Sequence, residues 1–273
     1  MNSSPEWVKE IVDKAGNKRV LLVEGKRDRT GLSYFLSQVY PERNSRFVLH
    51  AAESKKRVID CIQYYRADWA GIVDRDEWSP KQIEELGRKL PRLKVLPRFC
   101  IENYFCVPEE LWSALPPNQK QPIRNEFDRL AKPLMAVLPN WLSHGVMWRV
   151  IMNRRRALLN ESGFPAELDR EPITDLNEIR RILETWHKQL DPDAIISEYQ
   201  QELVAAENRA SVDQLQHFVH GKKFLSSVVV PALNKIFTQA SVDVWLGQLM
   251  RNDRGFSIPS DLQGFLSEVI GLF

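Results

Sequence analysis

The stretch "RVLLVEG" (19–25) runs directly into "KRDRTGLSYFLSQVY" (26–40), and this junction decides how the fold is read. The first piece is a short continuous apolar run ended by glycine, the pattern of a strand covered on both faces. The second sets Leu32, Phe35, Leu36 and Val39 on one side of a helix over 28–40. The same strand-then-helix unit recurs twice. "RFVLHAA" (46–52) leads into "ESKKRVIDCIQYYR" (53–66), whose inward positions are Val58, Cys61, Ile62 and Tyr65. "WAGIVD" (69–74) leads into "SPKQIEELGRKL" (79–90), a helix opened by Ser-Pro, and "LKVLP" (93–97) supplies a fourth strand. With an amphipathic helix in front at "PEWVKEIVDKA" (5–15), the alternation predicts an α/β fold. Its centre is a mainly parallel sheet flanked by helices. In such sheets ligands collect beyond the carboxyl ends of the strands.

Beyond Pro108 the chain reads as helices, near 123–138, 141–160, 175–190, 193–207, 222–238, 241–251 and 259–271. They are interrupted by "LPPNQKQP" (115–122), "GFPAELDREP" (163–172) and "DPD" (191–193). The expected organisation is an α/β catalytic domain over 1–107 and a helical region over 108–273 that acts as cap, dimerisation or substrate-binding part.

Apolar residues at 43% and charged residues at 27% of 273 are ordinary globular values. No apolar run reaches the roughly 18 residues of a membrane-spanning helix, and the N-terminus lacks a signal peptide's basic-then-apolar layout. Cys61, Cys100 and Cys106 are odd in number without C-x-x-C spacing, which predicts reduced packing thiols and a cytoplasmic protein. Residues 1–106 carry 20 Lys and Arg against 15 Asp and Glu, net +5. Subtraction from the overall +2 leaves −3 for the remainder. The positive first half suits a polyanionic partner.

Within that half, five acids stand at strand ends. Glu24 closes the first strand and Asp28 follows at a helix start; Asp74 and Asp76 close the third strand, and Glu102 follows the fourth. Taken singly, "DRD" is a turn with an N-cap, "VEG" a strand-ending turn and "DRT" a helix cap. Together, in a parallel sheet, they converge on one edge. Five carboxylates in one cleft cannot all stay ionised without a compensating cation. Mg²⁺, or Mn²⁺ in its place, is the natural one, as one or two ions.

Glu24-Gly25 with Asp28, followed by Asp74-x-Asp76, resembles the TOPRIM domain of type IA topoisomerases, bacterial primases and OLD-family nucleases. "LPRFCIENYF" (96–105) is most similar to the OLD-type branch. The resemblance spans about residues 18–106, with a weaker echo at "HGKKFL" (220–225). It implies that Glu24 acts in proton transfer or metal binding, that Asp74 and Asp76 bind Mg²⁺, and that Glu102 is a further ligand. It also implies that a late lysine, Lys222 or Lys223, stabilises the transition state. The chain departs from the topoisomerases and primases in having no zinc module and no strand-passage tyrosine context. It departs from full OLD proteins in having no G-x-x-x-x-G-K-[ST], so the ATPase half is missing. The layout resembles the TOPRIM effector of the PARIS anti-phage system. That implies a homodimeric endonuclease cleaving transfer RNA, held by a separate ABC-type ATPase.

Lys26 and Arg98 flank the proposed catalytic segments and are candidates for contacting nucleic acid. "MWRVIMNRRRALLN" (147–160) reads either as a nucleic-acid track through Arg154 and Arg155 or as a solvated helix face with Trp148 in the core. "ESKKR" (53–57) opens a helix, so its lysines read either as phosphate contacts or, more simply, as plain surface. The rival functions are a non-catalytic nucleic-acid- or partner-binding subunit with a vestigial acidic edge, and an OLD-type DNA nuclease.

Overall fold

The computed structural model describes residues 4–42, 46–115, 117–121, 126–160, 175–237, 239–251 and 257–273. The "GFPAELDREP" interruption lies outside the described residues. Four strands form one sheet in the order β2-β1-β3-β4, every pair parallel: β1 Arg19–Val23, β2 Phe47–Ala51, β3 Ala70–Val73 and β4 Leu93–Val95. The expected α/β architecture is what the chain adopts.

β1 and β3 are the central pair, with Leu21 opposite Ala70 and Leu22 opposite Gly71. Val20 and Leu22 of β1 join Val73 in a core with Val8 and Ile11 of α1 (Glu6–Ala15) and Val58 of α3 (Lys55–Asp60). Leu21 and Val23 point the opposite way by the two-residue period of a strand and are as deeply buried, so the sheet is covered on both faces. α2 (Lys26–Val39) sends Phe35 against Tyr104 and Phe105, ring centroids 6.0 and 5.9 Å away. Gly71 allows α3 to lie directly on β3. A Cβ there would come within 2.5 Å of Ile62 Cδ1 and 2.7 Å of Val58 Cγ1. α4 (Pro80–Lys89) starts as its Ser-Pro pair predicts: Ser79 Oγ accepts from Gln82 N at 3.3 Å, and Gln82 Oε1 accepts from Ser79 N at 2.9 Å.

After α5 (Pro108–Ala114), helix α6 runs unbroken over Asp128–Asn160, through Pro133 and Pro139, where two helices separated near 139–140 are expected. Leu130, Leu134, Leu138, Leu142, Val146 and Val150, each four residues apart, are all buried. Packing of that continuous stripe outweighs the backbone hydrogen bonds the prolines remove. Helices α7 (Leu176–Gln189), α8 (Pro192–Glu207), α9 (Ser211–His217), α10 (Gly221–Phe224), α11 (Val230–Ile236), α12 (Val242–Arg251) and α13 (Ser260–Ile270) follow.

The chain divides into two compact units, Met1–Ala136 with His220–Phe273, and Val137–Val219. This differs from the single boundary expected after residue 107. The last helices belong with the sheet because Arg98 pairs with Asp261, Arg92 Nη2 donates to Leu272 O at 2.8 Å, and Phe273 stacks on Phe47 at 4.8 Å. The second unit has its own small core of Leu142, Val146, Ala206 and Phe218. No helix among the described residues is long and apolar enough to cross a membrane.

Candidate functional site

Because β1 and β3 are neighbours running the same way, the residues following them, Glu24 and Asp74, meet at one sheet edge. Asp74 N donates to Glu24 Oε1 at 2.7 Å. The chain then turns into α2, where Gly25 N donates to Asp28 Oδ2 at 2.7 Å. Asp28 thus sits in the first turn, where the helix dipole favours a carboxylate, and it is buried with Oδ1 lacking a partner. Asp76 adopts a left-handed backbone, φ +48°, which aspartate tolerates better than most residues. Its N donates to Phe99 O at 2.8 Å, tying the turn to the segment after β4.

That segment ends in a 3₁₀ turn, Ile101–Phe105, which carries Glu102. Glu102 is 1% exposed, and neither of its carboxylate oxygens has a hydrogen-bond partner. The nearby Cys100 thiol is directed instead at Asn103 Oδ1, 3.0 Å away. α10 starts against this turn at Gly221, where a Cβ would lie 2.2 Å from Asn103 Oδ1 and 2.8 Å from Asn103 N. Only glycine allows that approach, and it delivers Lys222, whose Nζ donates to Asp74 Oδ2 at 2.8 Å. Of the two late lysines, Lys222 is therefore the one at the site, and Lys223 faces solvent.

A second lysine stands at the site, the first of the two in "ESKKR", where a plain surface role is the simpler expectation. Lys55 Nζ donates to Asp74 O at 2.7 Å, pairs with Asp76, lies 3.8 Å from Glu24 Oε1 and stands over the Trp78 ring. It is the first residue of α3, which follows β2, so it emerges at the same carboxyl edge as Glu24 and Asp74. That placement was the available signal: in a parallel sheet every helix start after a strand borders the site.

Crowding of carboxylates governs the electrostatics. Burial, reinforced by Asp76 and Asp28, pushes the Glu24 carboxyl up to about 7 against the pull of Lys55 and the Asp74 N–H. Burial raises Asp74 well above the usual range, with Asp28, Glu24 and Asp76 adding to it and Lys222 opposing. Glu102 is raised by burial, helped by Asp28 and opposed chiefly by Lys222. Burial disfavours the charge on Lys222, but Asp74 and Glu102 outweigh it and hold its ammonium above the ordinary lysine value. The lysine keeps its proton, and the acids share a deficit of compensating charge.

The all-oxygen donor set suits a hard divalent cation. The partnerless buried oxygens of Asp28 and Glu102 are atoms such an ion would satisfy. The residues fit Mg²⁺ in donor chemistry, yet they are not gathered around a point. Among the described residues, no group of three or more His, Cys, Asp or Glu side chains is assembled to grip an ion. Two ammonium groups stand on Asp74 and Asp76 instead.

The remaining basic candidates separate. Lys26 is exposed on the first turn of α2 and lines a cavity that Glu102 also lines. Arg98 must be withdrawn as a nucleic-acid contact because it is 1% exposed. It makes a forked pair with Glu110 at 2.6 and 2.7 Å and a second with Asp261 at 2.9 and 3.1 Å, and it lies over the Tyr104 ring. Those partners use its planar fork structurally. Arg154, in the other unit, is paired with Glu198 at 2.5 Å, whereas Arg155 is exposed. Trp148 is 39% exposed rather than in the core. Cys61, Cys100 and Cys106 are free and buried, as expected of packing thiols.

Comparison with protein-family models returns no match, and comparison with curated proteins returns no relative.

Proposed function

We propose that the chain is a divalent-metal-dependent endonuclease with the acidic edge as its active centre. On its resemblance to OLD-type TOPRIM effectors, its substrate is RNA, transfer RNA in particular. The same resemblance gives a homodimeric effector restrained by a separate ABC-type ATPase. The nuclease reading rests on one observation above others: Glu24, its carboxyl up at about 7, stands at the junction of the two central strands among Asp28, Asp74 and Asp76. A group titrating there can exchange a proton with a water or leaving oxygen at neutral pH. Asp28, Asp74, Asp76 and Glu102 would hold the ion or ions, and Glu24 would either join them as a ligand or act in proton transfer. Bound Mg²⁺ supplies Lewis-acid polarisation and lowers the pKa of water. Lys222, which keeps its charge and pairs with Asp74, would neutralise negative charge growing on phosphorus. Lys55 fixes Asp76 and the Asp74 carbonyl.

The test is cleavage of total RNA, purified transfer RNA and plasmid DNA by wild type, Glu24→Gln and Asp76→Asn, in Mg²⁺ and in EDTA. Fragments that appear only with wild type and metal support the reading. Intact nucleic acid of every kind, with metal and with a neighbouring ATPase co-expressed, overturns it. A second reading, the non-catalytic binding subunit, draws on the way Lys55 and Lys222 already occupy Asp76 and Asp74. It predicts partner or nucleic-acid binding that neither EDTA nor those substitutions change.

A further inference from the structure

We infer that the cavity beside the acidic edge receives one nucleobase of the cleaved strand and favours a base with an exocyclic amino group. This rests on the nuclease reading and adds to it the part of the substrate that is recognised. The cavity measures about 430 Å³ and lies between the start of α2, the 3₁₀ turn and α12. Binding sites for small flat molecules fall in the range of roughly 300–1,000 Å³. Its walls are apolar on two sides, Ile101 and Phe105 from the turn and Leu246 and Met250 from α12. Such opposed walls take a base extruded from its stack, because every base has an apolar face. Lys26 and Arg27 line it too, both exposed, with Arg27 Nε 3.0 Å from Asp243 Oδ1. They stand where the phosphates on either side of an inserted base would pass.

The polar group that gives the cavity its chemistry is Glu102. It lines the cavity, is 1% exposed, and has two oxygens without a hydrogen-bond donor. A buried acceptor of that kind calls for an N–H from whatever enters. A carboxylate accepts from the exocyclic amino group of cytosine, whereas uracil and thymine have a carbonyl there and offer only a ring N3–H flanked by two carbonyl oxygens, a poorer match. With about four lone-pair directions, a carboxylate can take such an N–H and still serve an ion. Glu102 also borders the acidic edge: its 3₁₀ turn packs on Gly221 of α10, the helix that carries Lys222 to Asp74. A base held against it therefore lies next to the phosphate at that edge.

Gly247 gives access to a clean test, since it lines the cavity and a Cβ there would meet nothing within 4 Å. Gly247→Phe and the smaller Gly247→Leu fill the space while leaving every acid unsubstituted. CMP, AMP and UMP are titrated into the full-length protein in EDTA by calorimetry, and transfer-RNA cleavage sites are mapped in Mg²⁺. The expected result is that CMP and AMP bind at least tenfold more tightly than UMP. Both Gly247 variants weaken CMP at least tenfold at unchanged melting temperature, and cleavage loses its base preference. Equal binding of CMP and UMP, or binding and cleavage unaffected by both variants, overturns the inference. Nucleotide binding blocked by the variants in a protein that cuts nothing leaves the base pocket standing and removes the nuclease reading instead.

Discussion

Replacing Glu24 by glutamine should stabilise the fold at alkaline pH and leave it nearly unchanged at pH 4. In the unfolded chain the Glu24 carboxyl titrates near 4.5, and in the fold its pKa is up at about 7. Between those values the folded protein keeps a proton that the unfolded chain has released. Unfolding then releases a proton, and stability falls as pH rises. Below 4.5 both states are protonated and the site costs nothing; above about 7 both are ionised and the whole penalty is present. Each pKa unit corresponds to about 1.4 kcal/mol, so the penalty is about 3 kcal/mol. The side chain is 15% exposed, and solvent screens it little. Glutamine keeps an oxygen to accept the Asp74 N–H and never acquires the charge. The value of about 7 already includes the pull of Lys55, 3.8 Å away, so about 3 kcal/mol is the net penalty. Urea denaturation in EDTA of wild type and Glu24→Gln at pH 4, 6 and 8 measures the difference. A variant destabilised equally at all three would show that Glu24 is not held ionised at a cost, and the account of a charge-deficient site would fail with it.

Other substitutions probe the parts that position the site. Arg98→Ala should destabilise by about 3–5 kcal/mol in urea, because Glu110 and Asp261 lose a buried partner. Arg98→Lys should recover only part of that loss, since the forked geometry is gone; full recovery would mean that charge alone matters there. Gly71→Ala should cost about 1–3 kcal/mol by forcing Ile62 and Val58 off β3, and a neutral result would show that α3 yields freely. Gly221→Ala should push α10 back from Asn103 and carry Lys222 off Asp74. On the proposed reading, cleavage then falls at least tenfold with a smaller change in urea midpoint, and unchanged cleavage would remove Lys222 from the mechanism.

The sheet and its acids were legible because they obey short-range rules. Apolar runs of four residues such as "VLLV" and "AGIV", each ended by an acid, mark central strands and their carboxyl ends without knowledge of partners. Glu24 and Asp74 could be brought together once a parallel order was assumed, and the order found makes β1 and β3 neighbours. Arg98 was misread because its partners lie 12 and 163 residues away, beyond any local pattern. Beside "FCIEN" an arginine that faces a substrate and one clamped between two helices have the same sequence. The unbroken α6 escaped for the opposite reason: a strong local signal, Pro139, was overruled by burial of a stripe that spans it.

Lys55 shows where a topological rule can replace a missing local one. Nothing in "ESKKR" separates the first lysine from the second, and Lys56 is indeed a surface residue paired with Asp60. What separates them is the sheet. β2 runs parallel to β1, so the residue that opens α3 comes up at the edge where β1 delivers Glu24. Ser54 caps α3 by accepting from Arg57 N at 3.2 Å, and Glu53 ahead of it takes a left-handed φ of +70°. The turn so formed is tight enough that the first side chain of the helix, and not the second, reaches back over the edge to Asp76. A cation brought by the chain itself is thus written in the strand order and the helix cap together. It offsets part of the carboxylate charge at the edge where Glu24, Asp74 and Asp76 meet, and Lys222 offsets another part from the far end of the sequence.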